Sequence, residues 1–166
     1  MGEYYHVTSK AHKTRLIFET DQDFIAGVNE LALCILKFNV TILAFCLMSN
    51  HVHFVLKGTY SECYAFIAEF KRICSLRMHI ANREFGGLRD VGVQFDLLDT
   101  LEYRENAIAY VLRNPLAARI IAMPYFYEWS SVSAYFRGGR PVNGLSLSQL
   151  SLRKRREVLR SRYDAV

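Results

Sequence analysis

Apolar residues recur along this chain with two different periods, and the points where the period changes mark its elements. Residues 4–10 (YYHVTSK) read as a short strand. In residues 21–39, Phe24, Val28, Leu31, Ala32, Ile35 and Phe38 return at three- and four-residue spacing, which predicts an amphipathic helix opening on Asp21 or Asp23. Residues 41–48 (TILAFCLM) are short, apolar and partly β-branched or aromatic, a buried strand. Ser49-Asn50 then turns tightly into residues 51–57 (HVHFVLK), giving a hairpin. Thr59 and Glu62 have capping-box spacing at the head of a second helix running to about residue 84 and ended by Gly86-Gly87. Cys63, Phe66, Ile67, Phe70, Ile73, Cys74, Met78 and Ala81 form its buried stripe, and Lys71, Arg72 and Arg83 fall outside it as a basic outer face. Residues 91–99 (VGVQFDLLD) alternate as a strand. Thr100 caps a third helix, with Glu102 and Glu105 near its positive end and Asn114-Pro115 as its stop.

The order β-α-β-β-α-β predicts an α+β fold: a ferredoxin-like antiparallel sheet followed by a further helix and a C-terminal extension. The aromatic stretch YFYEWSSVSAYF is expected to pack back on this unit, so residues 1–136 form one domain. Residues 137–166 read as a linker and a short basic helix or tail, with Arg153, Lys154, Arg155, Arg156, Arg160 and Arg162 clustered.

Composition narrows the class. The chain has 166 residues, 51% hydrophobic and 13% aromatic, enough for one well-filled core and too apolar for a disordered chain. A net charge of +5 leans toward an anionic partner, nucleic acid being the usual one. Cys34, Cys46, Cys63 and Cys74 sit in apolar segments without a CxxC pair, as buried reduced thiols do. With no secretory h-region and no membrane-length apolar run, a cytoplasmic protein away from membranes is expected.

His51 and His53 alternate on one strand, so both imidazoles leave the same face of the sheet, where they can chelate one metal ion or serve as ordinary polar residues on a solvated face. Tyr110 and Asn114 share a face of the third helix at i, i+4 spacing. Asn114 offers a neutral oxygen suited to completing a two-histidine site, and Tyr110 a phenol one turn away. The plainer reading is a packed tyrosine and a helix-ending Asn-Pro.

Taken together, these segments resemble one family. MSNHVHFVLKG is similar to the HUH motif (His-hydrophobic-His) of single-tyrosine transposases, the insertion-sequence enzymes and their REP-associated relatives. YVLRNPLAARI resembles that family's tyrosine motif, and YYHVTSK, FNVTILAFCLMSNHVHF and EWSSVSAYF resemble further family segments in the same order, covering residues 4–136. The resemblance implies a ferredoxin-like fold with His51, His53 and Asn114 as ligands of Mg²⁺ or Mn²⁺ and Tyr110 as the nucleophile. It implies attack on a phosphodiester of single-stranded or hairpin DNA, a 5′-phosphotyrosine, and rejoining by reversal. It also implies a homodimer with shared sites, as in many insertion-sequence members, or a monomer, as in REP-associated ones.

Because a phenol has an unperturbed pKa near ~10, it needs activation at neutral pH, and a neighbouring cation lowers that cost. Two imidazoles suit Mn²⁺ better than Mg²⁺. Candidate DNA contacts are Lys10, His12, Lys13, Lys71, Arg72 and Arg113. His6 and His79 are expected to be structural or exposed. Tyr103, Tyr60 and Tyr64 are rival nucleophiles, Tyr60 and Tyr64 being expected to serve packing instead. GGLRDVGVQFDLLDT is short and acidic where REP-associated members carry a basic Gly-Arg-rich strand. Two other functions remain open: a non-catalytic, domesticated nucleic-acid-binding module, and a metal-dependent phosphoesterase without a covalent step.

Overall fold

The computed structural model describes residues 2–10, 16–80 and 92–136. The expectations placed on His12, Lys13, Arg83, Gly86-Gly87 and residues 137–166 fall outside the described residues.

Strand β1 (Glu3–Lys10) is followed by helix α1 (Asp21–Lys37), the hairpin β2 (Thr41–Met48) and β3 (His51–Gly58), helix α2 (Tyr60–Ile80), strand β4 (Val93–Leu97), helix α3 (Leu101–Ala117), a short 3-10 turn (Pro124–Phe126) and helix α4 (Val132–Phe136). The strands form one antiparallel sheet in the order β2-β3-β1-β4, which is the ferredoxin-like arrangement expected from the sequence.

Both sheet faces are covered, which explains why β2 reads as an unbroken apolar run rather than an alternating one. On one face Val7, Phe45, Leu47, Val52, Phe54 and Leu56 pack under α1 and α2 together with Phe24, Leu31, Phe66 and Phe70. On the other, Ala44, Cys46, Met48 and Val55 pack against Ile108, Val111 and Leu112 of α3 and Val132 and Tyr135 of α4. The two helices of the first layer are tied by Arg77, whose Nε donates to Glu30 Oε1 at 2.8 Å and whose Nη1 donates to the Asp23 carbonyl at 3.0 Å.

The free edge of β2 is closed by the aromatic segment expected to pack back. Leu47 N–H donates to the Trp129 carbonyl at 2.9 Å, Ser131 N–H donates to the Phe45 carbonyl at 3.0 Å, and Tyr127 Oη donates to the Leu47 carbonyl at 2.7 Å. The four cysteines are free thiols in the interior, and burial pushes Cys34 up to about 11 and Cys63 up to about 12. Among the described residues no helix is long and apolar enough to cross a membrane.

The structure corrects three local expectations. Helix α1 is capped by Thr20 rather than by an aspartate: Thr20 Oγ1 accepts from Asp23 N–H at 3.2 Å, and Asp23 Oδ2 accepts from Thr20 N–H at 3.0 Å. Helix α3 does not stop at Asn114-Pro115 but carries Pro115 in its last turn. It closes on a Schellman pair, Arg119 N–H to the Leu116 carbonyl and Ile120 N–H to the Pro115 carbonyl, each 2.9 Å, with Arg119 in the left-handed region at φ 57°. That closure supplies bonds for the final turn, so the donor missing at proline does not end the helix. Finally, Lys71 is buried rather than on an outer basic face, because it continues the stripe of Ile67, Cys74, Ser75 and Met78.

Candidate functional site

Pairing register lines up the site before any side chain is considered. In the antiparallel ladders His53 on β3 stands opposite Thr8 on β1, which stands opposite Gln94 on β4; one row along, Val55, His6 and Asp96 are aligned. These residues share the parity that faces α3, while Val7, Val52, Val93 and Phe95 face the α1–α2 layer. Tyr110 emerges from α3 above this polar strip.

The resulting geometry is compact. The ring of Tyr110 lies 5.6 Å from those of both His6 and His53, at 83° and 87° to their planes. His6 and His53 are 5.5 Å apart and nearly parallel, at 4°, with 3.2 Å between His6 Nε2 and His53 Nδ1. Since the centroid separation is the N···N distance plus two ring radii, these imidazoles meet edge to edge in one plane rather than face to face. Thr8 Oγ1 sits 3.2 Å from His53 Nδ1 and 3.4 Å from His6 Nε2. Asp96 Oδ2 approaches His6 Nδ1 at 3.5 Å and itself accepts from Gln94 Nε2 at 3.2 Å. Burial lowers the His6 pKa below its ordinary value, outweighing the carboxylate of Asp96.

His51 begins β3, with its ring 4.9 Å from that of His53 and at 86° to it. Its Nδ1 donates to Asn50 Oδ1 at 2.7 Å. The rings of His6 and His53, with Asn106, Ala107 and Tyr110, border a cavity of about 430 Å³. His53 is buried and Tyr110 is 54% exposed, so a phenol open to solvent stands at the mouth of a site with a buried imidazole at its base.

The other expected residues lie around this centre at varying distance. Asn114 and Arg113 line an adjoining cavity of about 270 Å³ with Asn106 and Tyr110, and the Asn114 amide donates to the Tyr110 carbonyl at 3.1 Å. Tyr103 is exposed two turns earlier on α3. Tyr60 and Tyr64 are half exposed and lie on α2, across the sheet from the histidines. Their rings pack on Phe95 at 5.1 and 6.3 Å and on each other at 6.2 Å, the packing role expected of them. Lys10 ends β1 opposite His51 in register. Lys71 and Arg72 also belong to the α2 layer, and Arg72 is paired with Glu69.

Reasoning from sequence missed His6, Asp96 and Asn106. His6 was expected to be structural or exposed. Its signal lay in the strand order: the first strand of a ferredoxin-like sheet is central, so His6 and Thr8 had to neighbour the HVH strand. Asn106, whose buried Oδ1 has no hydrogen-bond partner among the described residues, precedes Tyr110 by one turn on the same helical face.

A solved REP-associated tyrosine transposase bound to a REP hairpin superposes with a TM-score of 0.65 over 91% of this chain and 90% of that one, at 14% identity. The chain has the fold of that transposase. No protein-family model and no curated protein matches it.

Proposed function

We propose that this protein cleaves and rejoins single-stranded or hairpin DNA, with Tyr110 as its nucleophile. The observation that carries this reading is the position of the Tyr110 ring, 5.6 Å from that of His53. A residue of the HVH strand and the tyrosine of a distant helix meet in one chain, as the transposase reading requires. The shared fold with a hairpin-bound transposase and the positive net charge support the same reading.

The donor set fits a hard or borderline divalent ion. Two imidazoles from one strand and a nearby amide oxygen are the ligand types such ions accept, whereas among the described residues no group of three or more His, Cys, Asp or Glu is placed to hold a metal. Mg²⁺ or Mn²⁺ would be held through Nε2 of His51 and His53, whose Nδ1 atoms engage Asn50 and Thr8 with His6, and completed by Asn114. When bound, such an ion supplies polarisation of a non-bridging phosphoryl oxygen and eases formation of the phenolate.

The chain's own residues do the rest. Tyr110 Oη gives up its proton to solvent and attacks phosphorus. The P–O3′ bond breaks, and its electron pair leaves on the 3′ oxygen, which takes up a proton as a 3′-hydroxyl. The 5′ phosphate stays joined to Tyr110. A 3′-hydroxyl of another strand reverses the transfer, so the phosphodiester is remade without ATP. The half-exposed phenol suits a polymeric substrate that approaches from solvent. Both partners belong to one chain, which supports a site formed in cis.

The test is cleavage of a 5′-labelled hairpin oligonucleotide with Mn²⁺. Cleavage by the native protein, lost in Tyr110→Phe and kept in Tyr103→Phe, is expected. Hydrolysis that persists in Tyr110→Phe would establish a phosphoesterase without a covalent step. Salt-sensitive binding without cleavage on any substrate would establish the non-catalytic module.

A further inference from the structure

We infer that Asp96 and His6 form a relay that fixes the tautomer of His53, making them positioning residues for the imidazole beneath Tyr110.

The inference follows from which atoms can donate. Asp96 presents carboxylate oxygens, which accept only, and Gln94 donates to both of them, at 2.9 and 3.2 Å, fixing their direction. The nitrogen of His6 nearest that carboxylate is Nδ1, at 3.5 Å. A lone pair there would face negative charge, so Nδ1 carries the proton and Nε2 is the acceptor. His6 Nε2 then meets His53 Nδ1 at 3.2 Å in a common ring plane. One hydrogen must lie between the two nitrogens, and His6 has already placed its own on the other side. His53 is therefore protonated on Nδ1, and its lone pair is on Nε2. Thr8 agrees with this assignment: its hydroxyl can donate to His6 Nε2 while its oxygen accepts from His53 Nδ1.

The relay crosses three neighbouring strands, β4, β1 and β3, along one sheet face. It therefore depends on register, since slipping β1 by one residue would turn His6 into the opposite layer. Part of the inference rests on the metal-site reading above: a histidine that binds an ion is oriented by what its other nitrogen touches. Here that partner is a second imidazole backed by a carboxylate. The tautomer itself is a property of the metal-free protein and stands apart from that reading.

The test is long-range ¹H–¹⁵N NMR of the metal-free protein, with Mn²⁺ titrated into the same samples. The native chain is expected to show His6 and His53 both protonated on Nδ1. Asp96→Asn can offer an N–H to His6 Nδ1, reversing every bond in the chain and moving the His53 proton to Nε2. Mn²⁺ affinity should fall by about 10–100-fold in that variant, and Asp96→Glu should restore the native tautomer. Asp96 lies on the edge strand with its side chain 47% exposed, so these variants keep the fold. Should native His53 carry its proton on Nε2, or keep its tautomer in Asp96→Asn, the relay is wrong. If the tautomers are as assigned and the native chain binds no Mn²⁺, the relay stands and the metal-site reading fails.

Discussion

The side-chain amide of Asn114 donates to the backbone carbonyl of Tyr110, 3.1 Å away and one turn back on α3. The amide thus lies along its own helix, in a cavity that adjoins the one bordered by the imidazoles and shares Tyr110 and Asn106 with it. To join His51 and His53 around an ion, its oxygen would have to reach them from that adjoining cavity. Replacing Asn114 with alanine should cost the fold only about 0.5–1.5 kcal/mol, the worth of one ordinary hydrogen bond. Under the proposed function, Mn²⁺-dependent cleavage should fall at least about 10-fold. Thermal melts and cleavage rates on the same preparation check both, and unchanged cleavage would remove Asn114 from the site.

The end of α3 gives a prediction about stability. Arg119 takes a left-handed conformation at φ 57° to close the Schellman pair, a geometry that costs a residue with a Cβ about 1 kcal/mol relative to glycine. Arg119→Gly should therefore raise the melting midpoint by about 2–4 °C, while Arg119→Ala should not. A lower midpoint in the glycine variant would show that the arginine side chain contributes more than its backbone strain costs.

Gly27 of α1 is held small by its neighbours. A Cβ there would stand 2.5 Å from Phe18 Cε1 and 3.2 Å from Leu47 Cδ1. The Phe18 ring cannot yield easily, because it is buried and stacked at 5.0 Å on Phe24, which stacks at 5.1 Å on Trp129. Overpacking costs about 1–3 kcal/mol, against about 1 kcal/mol gained in helix propensity. Gly27→Ala should lower the melting midpoint, and Gly27→Val should lower it further. A rise on alanine substitution would contradict this packing.

Glu69 joins the two outer helices, accepting from Lys37 Nζ at 2.7 Å and Arg72 Nε at 2.7 Å. The hydrogen bond from Arg72, then that from Lys37, hold its carboxyl at about 2 instead of 4.5. Because the folded-state value is the lower one, the stabilisation is present above about 4.5 and is lost as pH falls toward 2. Both cations are more than half exposed, so solvent screens the pair and its contribution is modest. The melting midpoint of Glu69→Gln should lie below that of the native protein at pH 7, and the two should converge near pH 2. A gap that stays constant with pH would assign it to packing rather than charge.

Much of this architecture was legible in the sequence because it follows from local periodicity. The parity of His51 and His53, the i, i+4 spacing of Tyr110 and Asn114, and the Thr59–Glu62 capping box are read within a few residues and hold in the structure. What escaped depends on contacts between distant strands. His6 enters the site because β1 lies between β3 and β4, and Asp96 because β4 pairs with β1 in a particular register. Lys71 was misjudged for a different reason: its charge outweighed its position, although it lies four residues from Ile67 on a stripe wide enough to bury it. Pro115 misled because a proline signals a stop only where nothing downstream restores the lost bonds, and here Arg119 and Ile120 do.

The central claim is that the phenol of residue 110 becomes covalently joined to DNA. The direct measurement is mass spectrometry of a tryptic digest after incubation with Mn²⁺ and a hairpin oligonucleotide, followed by nuclease trimming. A nucleotide phosphate on the peptide spanning residues 105–113, bonded to Tyr110 and absent from Tyr110→Phe and His53→Ala, is the predicted result. An adduct on Tyr103, Tyr60 or Tyr64, or cleaved DNA with no protein-linked product, would contradict it.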